Sequence, residues 1–115
     1  MNINKILVTG ATGKVGSRFV SRFLAKGYNV CILVRDAARA SALAERGAEV
    51  VIGDLDNSDA LSAAVKGIDA VIHVAAYFRT VNDTEGIIRT NHAGTVALAN
   101  ASIAAGVKRF IFTST

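Results

Sequence analysis

Residues 5–16 read KILVTGATGKVG, and this short stretch determines the fold. It begins with an aliphatic run of the kind that forms a buried strand in a parallel sheet. Glycines then follow at the spacing G-x-x-G-x-x-G, at Gly10, Gly13 and Gly16. Beyond them apolar residues recur at helical spacing, so the stretch predicts a strand, a tight glycine turn and a helix.

Outward from this stretch the sequence keeps alternating between strand and helix. The predicted strands are 5–9, 29–34, 49–52, 69–74 and 109–113, and the predicted helices are 14–26, 37–46, 58–66 and about 84–105. Ser58 or Asp59 is the expected N-cap of the third helix. Such alternation gives right-handed crossovers and a parallel sheet. We therefore predict one α/β domain over residues 1–115, a Rossmann-type doubly wound parallel sheet of strand order 3-2-1-4-5 that is incomplete after its fifth strand.

Each glycine of the turn has a separate physical role in binding a dinucleotide. Gly10 permits the sharp turn off the strand, Gly13 lets the backbone approach a pyrophosphate, and Gly16 lets the helix lie close to the sheet. The helix N-terminus then offers amide groups to the phosphates. Three neighbours are taken as cofactor-binding with them: Thr12, Lys14 and Val15. A purely structural turn is the alternative, whereas a P-loop is excluded because Val15 stands where that motif needs Ser or Thr.

Composition and charge exclude several classes of protein. The net charge of +4 comes from scattered basic residues, which indicates solvated helix faces and no nucleic-acid surface. No apolar stretch is long enough for a membrane span, and the N-terminus is unlike a signal peptide, so we expect no membrane contact and a cytoplasmic protein. Cys31 alone excludes an internal disulfide. The histidines and the cysteine lack the spacing of metal ligands, so no metal site is predicted.

Five landmarks along the chain make it resemble the extended short-chain dehydrogenase/reductase family. In order they are TGATGKVG at residues 9–16, Gly53-Asp54-Leu55, His73-Val74-Ala75-Ala76, Asn91-His92-Ala93-Gly94-Thr95 and Phe112-Thr113-Ser114-Thr115. Within that family the chain looks most like the NAD-dependent epimerases/dehydratases, meaning nucleoside-diphosphate-sugar epimerases and dihydroflavonol-4-reductase-like enzymes. The resemblance implies NADP or NAD as cofactor.

The resemblance also implies roles for residues outside the glycine turn. Asp54 would accept a hydrogen bond from the adenine amino group with Leu55 beside the ring, unless Asp54 is only a turn residue after Gly53. Ala75 and Ala76 would pack near the adenine ribose, or serve packing alone. Asn91 would bind backbone near the fourth strand, and its alternative is a helix-surface asparagine.

The catalytic residues implied by the resemblance are incomplete in this sequence. Thr115 falls at the family's Ser/Thr position, which orients the substrate oxygen. The family's Tyr-x-x-x-Lys pair is absent, because neither Tyr28 nor Tyr77 is followed by a lysine four residues later. His73 lies in an aliphatic strand and is interpreted as a buried core histidine, not a base. We therefore expect the front part of a longer enzyme, inactive by itself.

The residue that follows the second strand indicates the preferred cofactor. NAD-preferring Rossmann domains commonly end this strand with an acidic residue that binds the ribose 2′-hydroxyl. Here Val34 is followed by Arg35, whose guanidinium suits a 2′-phosphate, and Lys14 and Arg39 add positive charge. The sequence thus favours NADP over NAD. Asp36 leaves the NAD alternative open, should its carboxylate turn inward.

Three functions are consistent with these observations. In the first, the whole protein moves hydride between a nicotinamide cofactor and a nucleotide-sugar or ketone/alcohol substrate. In the second, it is a non-catalytic NADP-sensing protein of the same fold. In the third, the chain is a self-contained small dinucleotide-binding unit. The long helix belongs to the pair that forms dimers in such proteins, which implies a homodimer for the whole protein.

Overall fold

The computed structural model of the chain describes the backbone of residues 3–75 and 84–114 and the side chains of residues 3–74 and 92–113. The strands are β1 (Lys5–Thr9), β2 (Asn29–Val34), β3 (Glu49–Ile52), β4 (Ala70–Ala75) and β5 (Arg109–Ser114). The helices are α1 (Lys14–Ala25), α2 (Ser41–Glu45), α3 (Ser58–Val65) and α4 (Thr84–Ala105), with a 3₁₀ turn at Ala37–Ala40 before α2.

The strands form one parallel sheet of order β3-β2-β1-β4-β5 within the described residues. This confirms the predicted α/β Rossmann-type architecture and its strand order. β1 lies at the centre, so that Val8 faces Ile32 on one side and Ile72 on the other. The order reverses between β1 and β4, and a parallel sheet has its ligand crevice at the carboxyl ends of the strands at such a point.

The two faces of the sheet are covered by different helices. One core cluster joins Ile6, Val8 and Ile32 to Val20 of α1 and Leu43 of α2. The other joins alternate strand residues to α3 and α4, and its members include Leu7, Cys31, Val71, Leu61 and Leu98. Burial on both faces explains why the central strands are continuous aliphatic runs. Cys31 is 2% exposed, and burial raises the pKa of its thiol to about 11, so it acts as a small apolar side chain.

Several local predictions differ from the structure. The predicted helix 37–46 is a 3₁₀ turn followed by the short α2, and Asp36 Oδ1 caps the 3₁₀ turn by accepting the Ala38 amide at 2.9 Å. The predicted cap of α3 was wrong: Asn57, not Ser58 or Asp59, accepts the Ala60 amide at 3.1 Å. β4 begins at Ala70, one residue later than expected, and β5 extends to Ser114.

No helix in the described parts of the chain has both the length and the apolar character needed to cross a bilayer.

Asp69 stabilises the end of the sheet at which the strands begin. Its Oδ2 accepts the backbone amides of Asn4 at 2.9 Å and Lys5 at 3.0 Å, and Lys108 Nζ lies 3.7 Å from Oδ1. These backbone hydrogen bonds, with help from the Lys108 charge, hold the pKa of Asp69 below its ordinary value. This carboxylate, which directly precedes β4, thereby connects the start of β1 to Lys108, which directly precedes β5.

We predict that Asp69→Asn lowers the Tm by a few degrees at neutral pH, because a charge-assisted acceptor of two amides is lost. The lowered pKa means that the folded chain binds fewer protons than the unfolded chain. The stabilisation is therefore present above about pH 4 and lost as the pH falls through the folded pKa. Thermal unfolding followed by circular dichroism between neutral pH and pH values below about 4 measures both effects.

The matched control is Asp56→Asn, which removes the same charge from an exposed loop residue. An equal loss of Tm in both variants would attribute the effect to net charge and would contradict the role given to Asp69.

Candidate functional site

The glycine turn begins where β1 ends, against the end of β4. Gly10 has φ +64°, a left-handed conformation that favours glycine. A Cβ on Gly10 would lie 2.6 Å from the Val74 carbonyl oxygen, so a side chain is excluded by space as well as by conformation. The Gly10 carbonyl accepts the Gly13 amide at 3.1 Å and closes the turn. The turn is thus built against the backbone of β4.

Gly16 makes a closer backbone contact than any other glycine in the turn. A Cβ on Gly16 would lie 2.0 Å from the Gly10 oxygen and 2.6 Å from the Gly10 carbonyl carbon. The sequence analysis placed this close approach between the helix and the sheet, whereas it occurs between the first turn of α1 and the Gly10 peptide. The reason is that α1 begins only a few residues after the strand and folds back over the turn.

Gly13, by contrast, faces open space. It is exposed, and a Cβ there would meet only the Gly10 oxygen, at 3.4 Å. Gly13 is also the N-cap of α1, and neither a side-chain cap nor an acidic residue in the first turn satisfies the helix N-terminus. The first amides of a helix have no intrahelical acceptor and carry a partial positive charge. Thr12, Lys14 and Val15 are exposed around these amides, so the geometry suits a bound anion.

A cleft of about 390 Å³ opens beside the turn at the carboxyl end of β2. It is lined by Thr12, Val34, Arg35, Asp36 and Arg39. The Arg35 side chain is 78% exposed and is available to a ligand. Asp36 already accepts the Ala38 amide through Oδ1, as the cap of the 3₁₀ turn. The cleft is therefore lined by two arginines and by a carboxylate that has a structural partner.

Asp54 lies across from Arg35 at the end of β3. Its Oδ2 is 3.9 Å from Arg35 Nη1, and its Oδ1 accepts the Leu55 amide at 2.7 Å. Both side chains are well exposed, so this ion pair contributes little to stability. The sequence analysis assigned the two residues to different parts of a nucleotide, and the structure places them as neighbours at one edge of the sheet.

Two glycines that the sequence analysis left without a role shape this edge. A Cβ on Gly94 would lie 2.8 Å from Leu55 Cδ1, so Gly94 lets α4 approach the loop after β3. A Cβ on Gly53 would lie 2.3 Å from the Ala60 Cβ, so Gly53 lets α3 pack close to the loop after β3. The sequence did contain a signal for the role of Gly94. Glycine inside a helix costs about 1 kcal/mol relative to alanine, so its presence there indicates a packing reason.

His73 is a buried and fully hydrogen-bonded residue, as the sequence predicted. It is 3% exposed, its Nδ1 is hydrogen-bonded to Thr9 Oγ1, and its Nε2 lies 2.9 Å from Thr95 Oγ1. Burial lowers the pKa of His73, which keeps the ring neutral at physiological pH. The sequence analysis did not identify Thr9 and Thr95 as its partners.

Several predicted site residues lie outside the described part of the chain. Ala76 and Thr115 are outside it altogether, as is Tyr77. Ala75 ends β4 and Asn91 belongs to α4, but their side chains are not among those described. Among the described residues, no group of three or more His, Cys, Asp or Glu side chains is arranged to hold a metal ion.

A family profile described as NAD(P)H-binding matches residues 10–115. The chain is 37% identical over 109 residues to the photosystem II assembly factor Ycf39 of Trieres chinensis, covering 95% of this chain and 34% of the relative. It is 36% identical over 108 residues to a putative dihydroflavonol 4-reductase of Synechocystis, covering 93% and 31%. It is 36% identical over 121 residues to a 3 beta-hydroxysteroid dehydrogenase/Delta 5-->4-isomerase of Mycobacterium tuberculosis, covering 97% and 32%. The chain thus spans about a third of the length of these relatives.

Two solved structures with bound cofactor have the same fold. A short-chain dehydrogenase/reductase superfamily protein of Agrobacterium tumefaciens with bound NAD is 34% identical, with a TM-score of 0.79 over 95% of this chain and 32% of that protein. The NADPH-dependent quinone oxidoreductase QOR2 of Escherichia coli, in complex with NADPH, is 29% identical, with a TM-score of 0.73 over 95% and 36%. NAD(P)H binding, predicted from the sequence, is confirmed at the level of the family.

Two glycine substitutions separate folding from binding in the turn. We predict that Gly16→Ala destabilises the chain by about 2–3 kcal/mol, because the new Cβ collides with the Gly10 peptide. We predict that Gly13→Ala costs at most about 1 kcal/mol in unfolding, since its Cβ meets only the Gly10 oxygen at 3.4 Å and the change is confined to the N-cap position, where glycine is favoured over alanine. A pyrophosphate lying over Gly13 would meet that Cβ, so NADPH affinity should fall at least about tenfold.

Urea unfolding and calorimetric titration with NADPH measure the two quantities. If Gly13→Ala binds as tightly as the wild type, the phosphates do not lie over Gly13.

Proposed function

Because the chain belongs to the NAD(P)H-binding family and shares the fold of short-chain dehydrogenase/reductase proteins, we propose that it forms the cofactor-binding part of an NADPH-dependent oxidoreductase. The observation that carries this proposal is the unsatisfied N-terminus of α1, which lies over the glycine turn beside a cleft that holds Arg35 and Arg39. One end of this arrangement suits a pyrophosphate and the other suits an additional phosphate group.

In this proposal the glycine turn holds the pyrophosphate. Gly10 and Gly16 set the path of the backbone, and Gly13 leaves space for the ligand. The first amides of α1, together with Thr12, Lys14 and Val15, surround the phosphate oxygens. Backbone amides are suited to this work because they are fixed before the ligand arrives, so little ordering entropy is lost on binding.

Arg35 and Arg39 would bind the 2′-phosphate that distinguishes NADP from NAD. A guanidinium binds a phosphate through paired hydrogen bonds, and the exposed Arg35 side chain is free to turn toward it. Asp36 is less suited to the acidic role of an NAD-binding protein, because Oδ1 already caps the 3₁₀ turn. These two facts favour NADPH over NADH.

The remaining cofactor contacts follow from the resemblance. Asp54 would bind the adenine amino group, with Leu55 beside the ring. Ala75 and Ala76 would pack near the adenine ribose, and Asn91 would help to hold the end of β4 in place. The carboxyl ends of β3 and β4 bring Asp54 and Ala75 to the same edge of the sheet as the glycine turn, which supports these assignments.

For the whole protein we propose a hydride-transfer reaction on a ketone/alcohol substrate or a nucleotide sugar. When bound, the nicotinamide supplies or accepts the hydride at its C4 carbon. Thr115 would orient the substrate oxygen. The relatives named as a dihydroflavonol reductase and a hydroxysteroid dehydrogenase favour the ketone/alcohol class. Since the sequence holds no Tyr-x-x-x-Lys, we expect these 115 residues alone to bind cofactor without turnover.

A second candidate is a non-catalytic protein that binds NADPH and acts through a protein partner. It is favoured by the similarity to Ycf39, which is named as an assembly factor. A Tyr-x-x-x-Lys sequence elsewhere in the whole protein would discriminate the enzyme from this alternative. A homodimer through α4, a cytoplasmic location and the lack of a nucleic-acid partner also remain proposals. The first has some support from Val96 and Ile103, which are 45% and 77% exposed on α4.

We predict that the chain binds NADPH more tightly than NADH, and that Arg35→Ala weakens NADPH binding about tenfold to a hundredfold while leaving NADH binding within about twofold. Isothermal calorimetry at one fixed salt concentration measures all four affinities. The matched control is Arg22→Ala, which removes the same charge from an exposed site on α1 that does not line the cleft. The control separates a local phosphate contact from a general effect of net charge.

Each contrary result has a distinct meaning. Unchanged NADPH affinity in Arg35→Ala would remove the 2′-phosphate role. Tighter binding of NADH by the wild type would move the ribose contact to Asp36. Binding of neither cofactor by a chain that is folded by circular dichroism would overturn the proposed function.

A further inference from the structure

We propose that His73 is a positioning residue for the glycine turn: through Thr9 it fixes the residue from which the turn departs, and through Thr95 it ties that residue to α4. This inference rests on the proposed function, because the turn is the same one to which we assign the pyrophosphate. His73 touches no ligand in this proposal and takes no part in chemistry.

The contacts form a continuous path across three elements. Thr9 Oγ1, at the end of β1, accepts the Val74 amide at 3.3 Å and is hydrogen-bonded to His73 Nδ1 on β4. His73 Nε2 lies 2.9 Å from Thr95 Oγ1 on α4. These side chains therefore connect two central strands to the helix that follows the second one.

The contacts favour one tautomer of His73. If the Thr9 hydroxyl donates to Nδ1, then Nε2 carries the proton and donates to Thr95, and every group in the path has a partner. The other tautomer would leave the Thr9 hydroxyl proton with no acceptor among the residues that the structure describes. Leaving a buried hydroxyl proton without an acceptor is unfavourable, so the Nε2–H form is favoured.

The surroundings of the ring make this arrangement depend on a neutral histidine. The ring is packed against Phe112 and Phe110, with centroid distances of 5.5 and 6.3 Å. Among the described side chains, the groups in contact with it from β1, β5 and α4 are the Thr9 and Thr95 hydroxyls and these two aromatic rings, and none of those four carries a charge. Protonation would place a proton on Nδ1, so the Thr9 hydroxyl could no longer donate there and would lose its acceptor.

Thr9 is coupled to the turn by close backbone packing. It directly precedes Gly10, whose carbonyl accepts the Gly13 amide and lies against the first turn of α1 at Gly16. Gly10 also lies against Val74, the neighbour of His73, with 2.6 Å between its ideal Cβ position and the Val74 oxygen. A rotation of the Thr9 peptide would therefore displace the backbone amides that are aimed at the phosphates.

The test uses variants that remove or retain individual contacts. His73→Leu removes both, and Thr9→Val removes the hydroxyl from the other side. His73→Asn keeps an acceptor near the position of Nδ1. We expect His73→Leu and Thr9→Val each to weaken NADP⁺ binding about threefold to tenfold, and His73→Asn to stay within about twofold of the wild type. The double variant with His73→Leu and Thr9→Val should lose less than the sum of the two single losses, because both changes remove the same Thr9–His73 contact.

A pH profile provides a readout that simple destabilisation would not move. The pKa of His73 is lowered in the folded chain, so the unfolded chain is protonated first as the pH falls below about 6.5. The contact from the Thr9 hydroxyl to His73 Nδ1 is lost as the pH falls through the lowered pKa of the folded chain. NADP⁺ affinity of the wild type should fall over this range relative to His73→Asn. The titration of the 2′-phosphate is common to both proteins and cancels in their ratio. His92→Asn, a change at an exposed histidine, is the control and should follow the wild type.

All affinities are measured by calorimetry on chains whose folding is verified by circular dichroism. Suppose that the wild type binds NADP⁺ and that a folded His73→Leu or Thr9→Val variant binds it with the same affinity. That result would overturn the positioning role alone. If His73→Leu does not fold, Thr9→Val and the pH profile of His73→Asn decide the question. A folded wild type that binds no dinucleotide would overturn the proposed function, and this inference with it.

Discussion

The contact between the Gly10 carbonyl and the first turn of α1 is the constraint on which the rest of the site depends. Gly16 has no Cβ, so the helix starts directly over the peptide that ends β1. This close approach aims the N-terminus of α1 along the carboxyl edge of the sheet. The same carbonyl accepts the Gly13 amide and so fixes the one glycine of the turn that faces open space. The close backbone packing at two glycines therefore forms the turn to which we assign the pyrophosphate.

The charged residues at the two ends of the strands differ in how they are held. At the amino-terminal end of the sheet Asp69 accepts two backbone amides, and Lys5 Nζ lies 2.9 Å from a Glu49 carboxylate oxygen. The charges at the carboxyl edge are more loosely held, as shown by the 3.9 Å separation between the exposed Arg35 and Asp54. A charge that is solvated and weakly paired can be recruited by a ligand at low cost. The two edges are thus suited to stability and to binding respectively.

Buried polar side chains connect the packing of the sheet to the position of the glycine turn. His73 is the buried ring between Thr9 and Thr95, and its path links the central strand to α4. An aliphatic side chain at this position would pack well, but it would specify no orientation for the Thr9 hydroxyl. A fully satisfied polar network restricts the core to one arrangement, and here that arrangement lies next to the start of the glycine turn.

The sequence by itself determined the elements, the parallel sheet and its strand order, because aliphatic runs, helical periodicity and glycine spacing are local signals. It also located the glycine turn and the cofactor class. Only the tertiary structure decided that Asn57 caps α3, that Asp36 is engaged as a cap, that Gly16 contacts the Gly10 peptide and that His73 joins Thr9 to Thr95. The last contact joins residues 64 positions apart, and such pairings follow from how the strands are brought together, which no local pattern encodes.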